Sequence, residues 1–455
     1  MAHPGFHSAN KAVPHKSEGT IATQIHTTSL DMPEIGGVSA NRTVLIVYPH
    51  WPPSNLVGVH RVRLVANYLS ECGWTPLILT VDEAHYEAPP APELTQLVQQ
   101  GIEVIKVGAN PAKTLGVRTI GDIGLRAFGQ LKSRARRLCS ERDINFIWFS
   151  IPSWYPPLMG NALKKEFQVP FGIDYQDPWV YPLPKGTSIL SRAWVTQWAA
   201  RRLEPIALKG CDLVTGINAS YFEGALTRNP KSSRNTAAFQ LGFDHNDHNR
   251  EVDVVPPWSQ PGRYLLYPGA FLPLSTPFYE ALFQACQALI AEGQWPDNTF
   301  LSFIGTGRPD LPITAIAKEF AVESIVFESP ERIPFLQVQQ LLRDSIACLV
   351  IGSPEAHYSA SKVFQCILSG QPIVAALHQD SEALDILKGC NASTFATAYD
   401  PAIPEELSPH LRDALKCLLT EQDRAWSPDI RGLDPYHARE AAKKLAMAME
   451  TVLAK

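Results

Sequence analysis

The sequence predicts an α/β protein made of two successive parallel-sheet domains, and three observations carry that reading. Short β-branched runs alternate with amphipathic stretches along most of the chain, the pattern of βαβ units in doubly wound sheets. The alternation breaks once, over 244–262, where Asp, His, Asn, Pro and Gly dominate, and then restarts. The length, 455 residues, exceeds what one hydrophobic core ordinarily serves, so two domains of roughly 200 residues are expected.

The elements follow in order. Residues 1–41 are polar and rich in Gly, Pro, Ser, Thr and His, and read as a disordered tail. The first domain is placed at 42–250. Residues 43–48 read as a buried strand, followed by a Pro-rich turn and a helix whose apolar face is Val62, Leu64, Val65, Tyr68 and Leu69, stopped at Gly73. Strands are expected at 76–80, 102–107, 146–149, 170–174 and 212–215, with helices at 119–140, 156–167 and 188–208 between them. The second domain is placed at 255–430. Its strands are expected at 264–267, 299–304, 324–327, 347–351 and 372–375, with helices at 277–292, 311–320, 335–344, from Ser361 to Gly370, and 407–420. A last helix, within 431–455, closes the chain.

Composition excludes several classes. Apolar residues make up 45% and charged residues 19%, a globular balance. A net charge of −5 gives no basic field, so nucleic acid is not an expected partner. The eight cysteines (Cys72, Cys139, Cys211, Cys286, Cys348, Cys366, Cys390 and Cys417) form no Cys-x-x-Cys pair, which suits reduced thiols better than disulfides or zinc. No signal-peptide core or membrane-length apolar run occurs. A cytoplasmic protein is therefore expected, with contact at the inner face of a membrane left open. The feature behind that opening is the helix carrying Lys132, Arg134, Arg136 and Arg137 on one side and Leu125, Phe128, Leu131 and Leu138 on the other. A solvated face over a core stripe explains it as well.

Four segments carry candidate chemistry. VYPHWPPSNLVGVHR at 47–61 joins the first strand to the first helix. Gly58 permits close backbone approach, the helix start favours an anion such as a diphosphate, and Arg61 can add a charge-assisted contact. A structural loop with a surface arginine is the alternative. GIDYQDPW at 172–179 places Asp174 and Asp177 at a strand end, where a carboxylate can accept a proton or stabilise a developing cation, or merely cap a turn. FIGTG at 303–307 is a turn in which Gly305 and Gly307 let the backbone approach a nucleotide, or simply reverse the chain. SPEAHYSASKVFQCILSGQP at 353–372 runs from a strand end into a helix start, with Ser359 or Ser361 as its cap and Lys362 beside it, aimed at a diphosphate. Two acids in one loop make a poor metal site, so no metal and no cofactor are expected.

Together, in this order and over roughly 42–400, these segments resemble the retaining glycosyltransferases of the GT-B fold, the group 1, family 4-like enzymes that build bacterial polysaccharides and glycolipids. The resemblance implies two facing Rossmann-like domains. The first would bind a glycan, lipid-linked or small-molecule acceptor, the second a nucleotide-sugar donor, UDP- or GDP-linked, and the last helix would pack back on the first domain. It places Asp177, Asp174 and His357 near the transferred sugar, and Gly58, Arg61, Gly305, Gly307, Arg332, His357, Ser361, Lys362 and Gln365 around the donor. Arg332 lies in ESPERIP at 328–334, the loop that meets the nucleobase in that family. The sequence also departs from the pattern. Many members carry two glutamates separated by seven residues, and here those places hold His357 and Gln365. An amide still offers donor and acceptor groups to a ribose. The alternatives are a nucleotide-sugar epimerase and a catalytically degenerate binding or scaffold subunit.

Overall fold

The computed structural model of the chain describes residues 42–114, 117–118, 122–183, 186–232, 235–356, 362–420 and 426–455. The expected tail therefore lies outside the described residues, as do His357 and Ser361.

The first sheet comprises β1 (Arg42–Val47), β2 (Trp74–Val81), β3 (Glu103–Val107), β4 (Phe146–Ile151), β5 (Phe171–Tyr175), β6 (Leu213–Gly216) and β7 (Thr236–Ala238), in the order β3-β2-β1-β4-β5-β6-β7. All its pairings are parallel. Its principal helices are α1 (Val57–Leu69), α2 (Phe128–Glu141) and α3 (Arg192–Leu208). The crossover to the second half holds the short α4 (His245–His248). The second sheet comprises β8 (Arg263–Pro268), β9 (Thr299–Ile304), β10 (Val326–Ser329), β11 (Ala347–Ile351), β12 (Ile373–His378) and β13 (Phe395–Tyr399), in the order β10-β9-β8-β11-β12-β13, again parallel. Its helices include α5 (Thr276–Ala291), α6 (Phe335–Asp344), α7 (Lys362–Leu368), α8 (Glu382–Gly389) and α9 (Leu407–Thr420); α10 (Ala438–Leu453) ends the chain.

Cover on both faces explains why the central strands are apolar at successive positions. Val44 and Ile46 point to one layer, with α1 and α10; Leu45 and Val47 point to the other, with α2 and α3. The second sheet is covered in the same way. Leu265 joins the layer of α5 and α9, and Leu266 the layer of α7 and α8. Trp148 on β4 is fully buried and its indole N–H donates to the Thr215 hydroxyl at 3.1 Å, so its burial, worth about 3 kcal/mol, carries no polar penalty.

The last helix packs on α1. Ala438, Ala441, Ala442 and Ala446 offer small surfaces that let Leu445 and Met449 reach Val62, Val65 and Leu69. Two elements absent from the sequence reading, α8 and β13, complete the second domain's far edge. β13 escaped because Phe-Ala-Thr-Ala-Tyr is short and only alternately buried. The expected helix at 119–140 is two in the described part, Ile123–Arg126 and then α2, with Ala127 between them.

Candidate functional site

Ligands of such sheets bind outside the carboxyl ends of the strands, which makes the cleft between the two halves the candidate site. Contacts among the described residues join its walls. Gln240, just beyond β7, donates to Glu382 at the start of α8 at 2.6 Å. His60 on α1 lies against the Phe335 ring of α6, 4.7 Å between centroids. Leu336 of α6 is buried among Ala91, Leu94 and Leu97 of the first half.

In the first domain, the loop after β5 carries Asp177. Its carboxyl is half-buried and makes no ion pair among the described residues, and burial pushes its pKa up to about 6. The field of Asp177 reaches Tyr48, beyond β1, and Tyr221; burial first, and this carboxylate next, make both hydroxyls hard to ionise. Two residues on from Asp177, the buried Trp179 stacks on the half-buried Trp154, 5.6 Å between centroids. The loop is held from behind by the buried Gln197 of α3, which donates to the Trp179 carbonyl and accepts from the Tyr181 N–H.

Arg61 and Asp174 take a place the sequence reading did not expect. Neither reaches the cleft: both are fully buried and face one another. Arg61 Nε and Nη2 donate to the two Asp174 oxygens at 2.8 and 2.7 Å. Ser150 and Thr215 donate to the same carboxylate, and Arg61 Nη1 donates to the Phe239 and Gln240 carbonyls. The guanidinium also covers the Phe239 ring at 4.3 Å. These donors satisfy both oxygens of the buried carboxyl group. The pair therefore fixes β5 to α1 and to the segment that leaves for the second domain. Two residues on, Arg63 is buried against Asp247 of α4 and donates to the Leu97 carbonyl.

Gly58 is likewise enclosed by protein. A Cβ there would lie 2.2 Å from the Tyr48 hydroxyl oxygen, and its carbonyl accepts from Gln176. The close backbone approach it permits is to Tyr48. His60, which sequence reasoning passed over, is the α1 residue that faces the second domain. Burial first, then Arg63 and Lys362, bring its pKa down to about 3, so it is neutral. Its signal lay in phase: on one helix, His60 faces across while Arg61 faces in.

In the second domain, Gly305 and Gly307 both adopt left-handed backbone, φ 74° and 69°. Their amides donate to the Ser329 and Pro330 carbonyls at 2.8 and 2.9 Å, which ties this turn to the loop holding Arg332. The space a Gly305 side chain would fill is bordered by Arg332. Arg332 is exposed and forms no ion pair among the described residues. Lys362, at the start of α7, also lacks one; burial chiefly, and the nearby Arg332 charge, hold its pKa below the usual lysine value. One turn on, the Gln365 Oε1 is buried with no hydrogen-bond partner among the described residues. The geometry thus gathers two cations, an open glycine turn and an unsatisfied amide oxygen, a set that suits an anion bearing hydroxyl groups.

The fold can be compared with solved structures. A glycosyltransferase from Rickettsia africae matches with a TM-score of 0.51 at 15% identity, over 91% of this chain and 94% of that one. WaaG, a glycosyltransferase involved in lipopolysaccharide biosynthesis, matches at 0.52 and 14%, over 90% and 98%. HepE of Anabaena, solved in complex with UDP, matches at 0.50 and 15%, over 91% and 98%. No protein-family model matches the sequence, and no curated protein matches it either. The two parallel sheets, helix-covered on both faces, are the GT-B fold of these glycosyltransferases.

Proposed function

We propose that this chain transfers a sugar from a nucleoside-diphosphate sugar, UDP- or GDP-linked, to a hydroxyl of a glycan, lipid-linked or small-molecule acceptor. The observation that carries this reading is the proximity of Lys362 to Arg332, two cations without an anionic partner among the described residues, with Arg332 bordering the Gly305 turn. Keeping two cations close in a partly desolvated cleft is unfavourable unless an anion completes the site. A diphosphate fits, and the free Gln365 Oε1 accepts a ribose hydroxyl. That HepE is solved with UDP favours a uridine nucleotide.

In the reaction, the acceptor oxygen bonds to the anomeric carbon as that carbon's bond to the diphosphate oxygen breaks. Asp177 accepts the hydroxyl proton. A carboxyl with a pKa of about 6 is ionised at neutral pH yet basic enough to assist. Lys362 and Arg332 take up the charge that develops on the departing diphosphate, the role a metal would otherwise fill. The half-buried Trp154, backed by the buried Trp179, offers an apolar face to a sugar ring. Retention of anomeric configuration belongs to the same reading and requires the acceptor oxygen to enter on the face from which the diphosphate leaves; proton NMR of the product anomer checks it.

Calorimetric titration with UDP-, GDP-, ADP- and dTDP-sugars tests the donor site. One donor should bind, and more weakly to Lys362→Ala and Gln365→Ala. Binding of none by the folded protein would favour a scaffold subunit. Donor turnover with no acceptor present would favour an epimerase.

A further inference from the structure

Helix α3 has two unlike faces. Its inner face is buried: Gln197, Ala200, Glu204, Ala207 and Leu208. Its outer face runs, at helical spacing, through Arg192, Val195, Trp198, Arg202, Ile206 and Lys209. Val195, Trp198 and Ile206 are each about half exposed. Just before the helix, Ile189 and Leu190 are more exposed still, Leu190 at 88%. Five large apolar side chains thus line one surface ~25 Å long, the length of 17 helical residues.

The helix charges on this surface are of one sign. Arg192, Arg202 and Lys209 are exposed, and none forms an ion pair among the described residues. The only acid in the helix, Glu204, is buried and bonded to Arg228. The Arg202 guanidinium lies over the Trp198 ring at 5.2 Å, so cation and aromatic are presented together. A second copy of this face would set cations against cations, as an isologous contact does. Phosphate headgroups above an acyl layer meet both the charges and the apolar side chains.

We propose that the outer face of α3, with Ile189 and Leu190, docks this protein on an anionic phospholipid surface. Gln197 couples the docked helix to the catalytic side: its amide holds the Trp179–Tyr181 backbone, two residues from Asp177. A membrane seated on α3 therefore lies beside the first domain's half of the cleft. The basic helix α2, which the sequence suggested for this role, carries its charges differently. Arg136 is paired with Glu166 and Arg137 with Glu141.

The test is co-sedimentation of the full chain with phosphatidylcholine vesicles, with and without phosphatidylglycerol. It needs no donor or acceptor, so it stands apart from the transfer reading. Binding is expected only with phosphatidylglycerol, and should weaken as salt is raised. Each of Arg192→Ala and Arg202→Ala should lower the partition coefficient about five-fold. Leu190→Ser with Trp198→Ser should lower it further at an unchanged melting temperature, whereas Lys132→Ala with Arg134→Ala should leave it as it was. Failure to bind anionic vesicles, or binding that the α3 variants do not change, overturns the proposal. So does a dimer in sedimentation velocity that Leu190→Glu turns into monomer, which would assign the face to a second copy.

Discussion

The two walls of the cleft use arginine and lysine in opposite ways. On α1, Arg61 and Arg63 are buried and each is matched to an aspartate, Asp174 and Asp247. Across the cleft, Arg332 and Lys362 have no such match among the described residues. A buried cation with a bidentate partner holds elements together; a cation left without one, at the edge of a glycine turn, awaits an anion. The same contrast holds between Arg136 and Arg137 of α2, which are paired, and Arg192 and Arg202 of α3, which are not among the described residues. Pairing is what sorts these side chains into structural and binding groups.

The largest effect should come from the carboxyl between the two walls. Asp177→Asn should lower the transfer rate by about 10²–10⁴-fold with donor affinity little changed, as loss of a general base does. Its stability should move the other way. In the folded protein the Asp177 pKa is raised to about 6, so the folded state holds the proton more tightly than the unfolded one. Ionisation above that pH opposes folding, and the asparagine variant should be more stable at neutral pH by ~1–2 kcal/mol in urea titration. In the wild type, the rate should fall as pH drops through about 6, because the base must be ionised.

Breaking the structural wall comes next. Arg61→Met strands the Asp174 carboxylate in the core and should cost about 3–5 kcal/mol in chemical denaturation. Adding Asp174→Leu to it should recover much of that loss, since the pair's worth lies in mutual neutralisation. If Arg61→Met were as stable as the wild type but bound no donor, the division between the two walls would fail. Lys362→Ala should do the reverse, weakening donor binding about 10–100-fold at unchanged stability. The smallest effect is expected from Gln365→Ala, a several-fold loss of donor affinity for one neutral hydrogen bond.

Much of the fold was legible before the structure. β1, β4, β9 and β11 are continuous apolar runs because both sheet faces are covered, and such runs are visible in sequence. β13 and α8 were not, since a short, half-covered edge strand leaves no comparable run. At the site, the loop holding Asp177 and the turn of Gly305 and Gly307 were readable as strand-end features. The misplacement of Arg61 has a definite cause. It follows the loop in sequence, but at 100° per residue the helix sends it inward while His60 faces Phe335. Only the partner's position, Asp174 on a strand 113 residues away, reveals this.

The sequence by itself determined the periodicities, and with them the two parallel sheets, their order along the chain and the strand ends where ligands collect. Those properties are local, set by which side chains recur at two or 3.6 residues. The tertiary structure decided which charges are spent inside and which remain for a ligand or a membrane. That is a matter of what lies opposite each side chain, and no spacing within one segment encodes it.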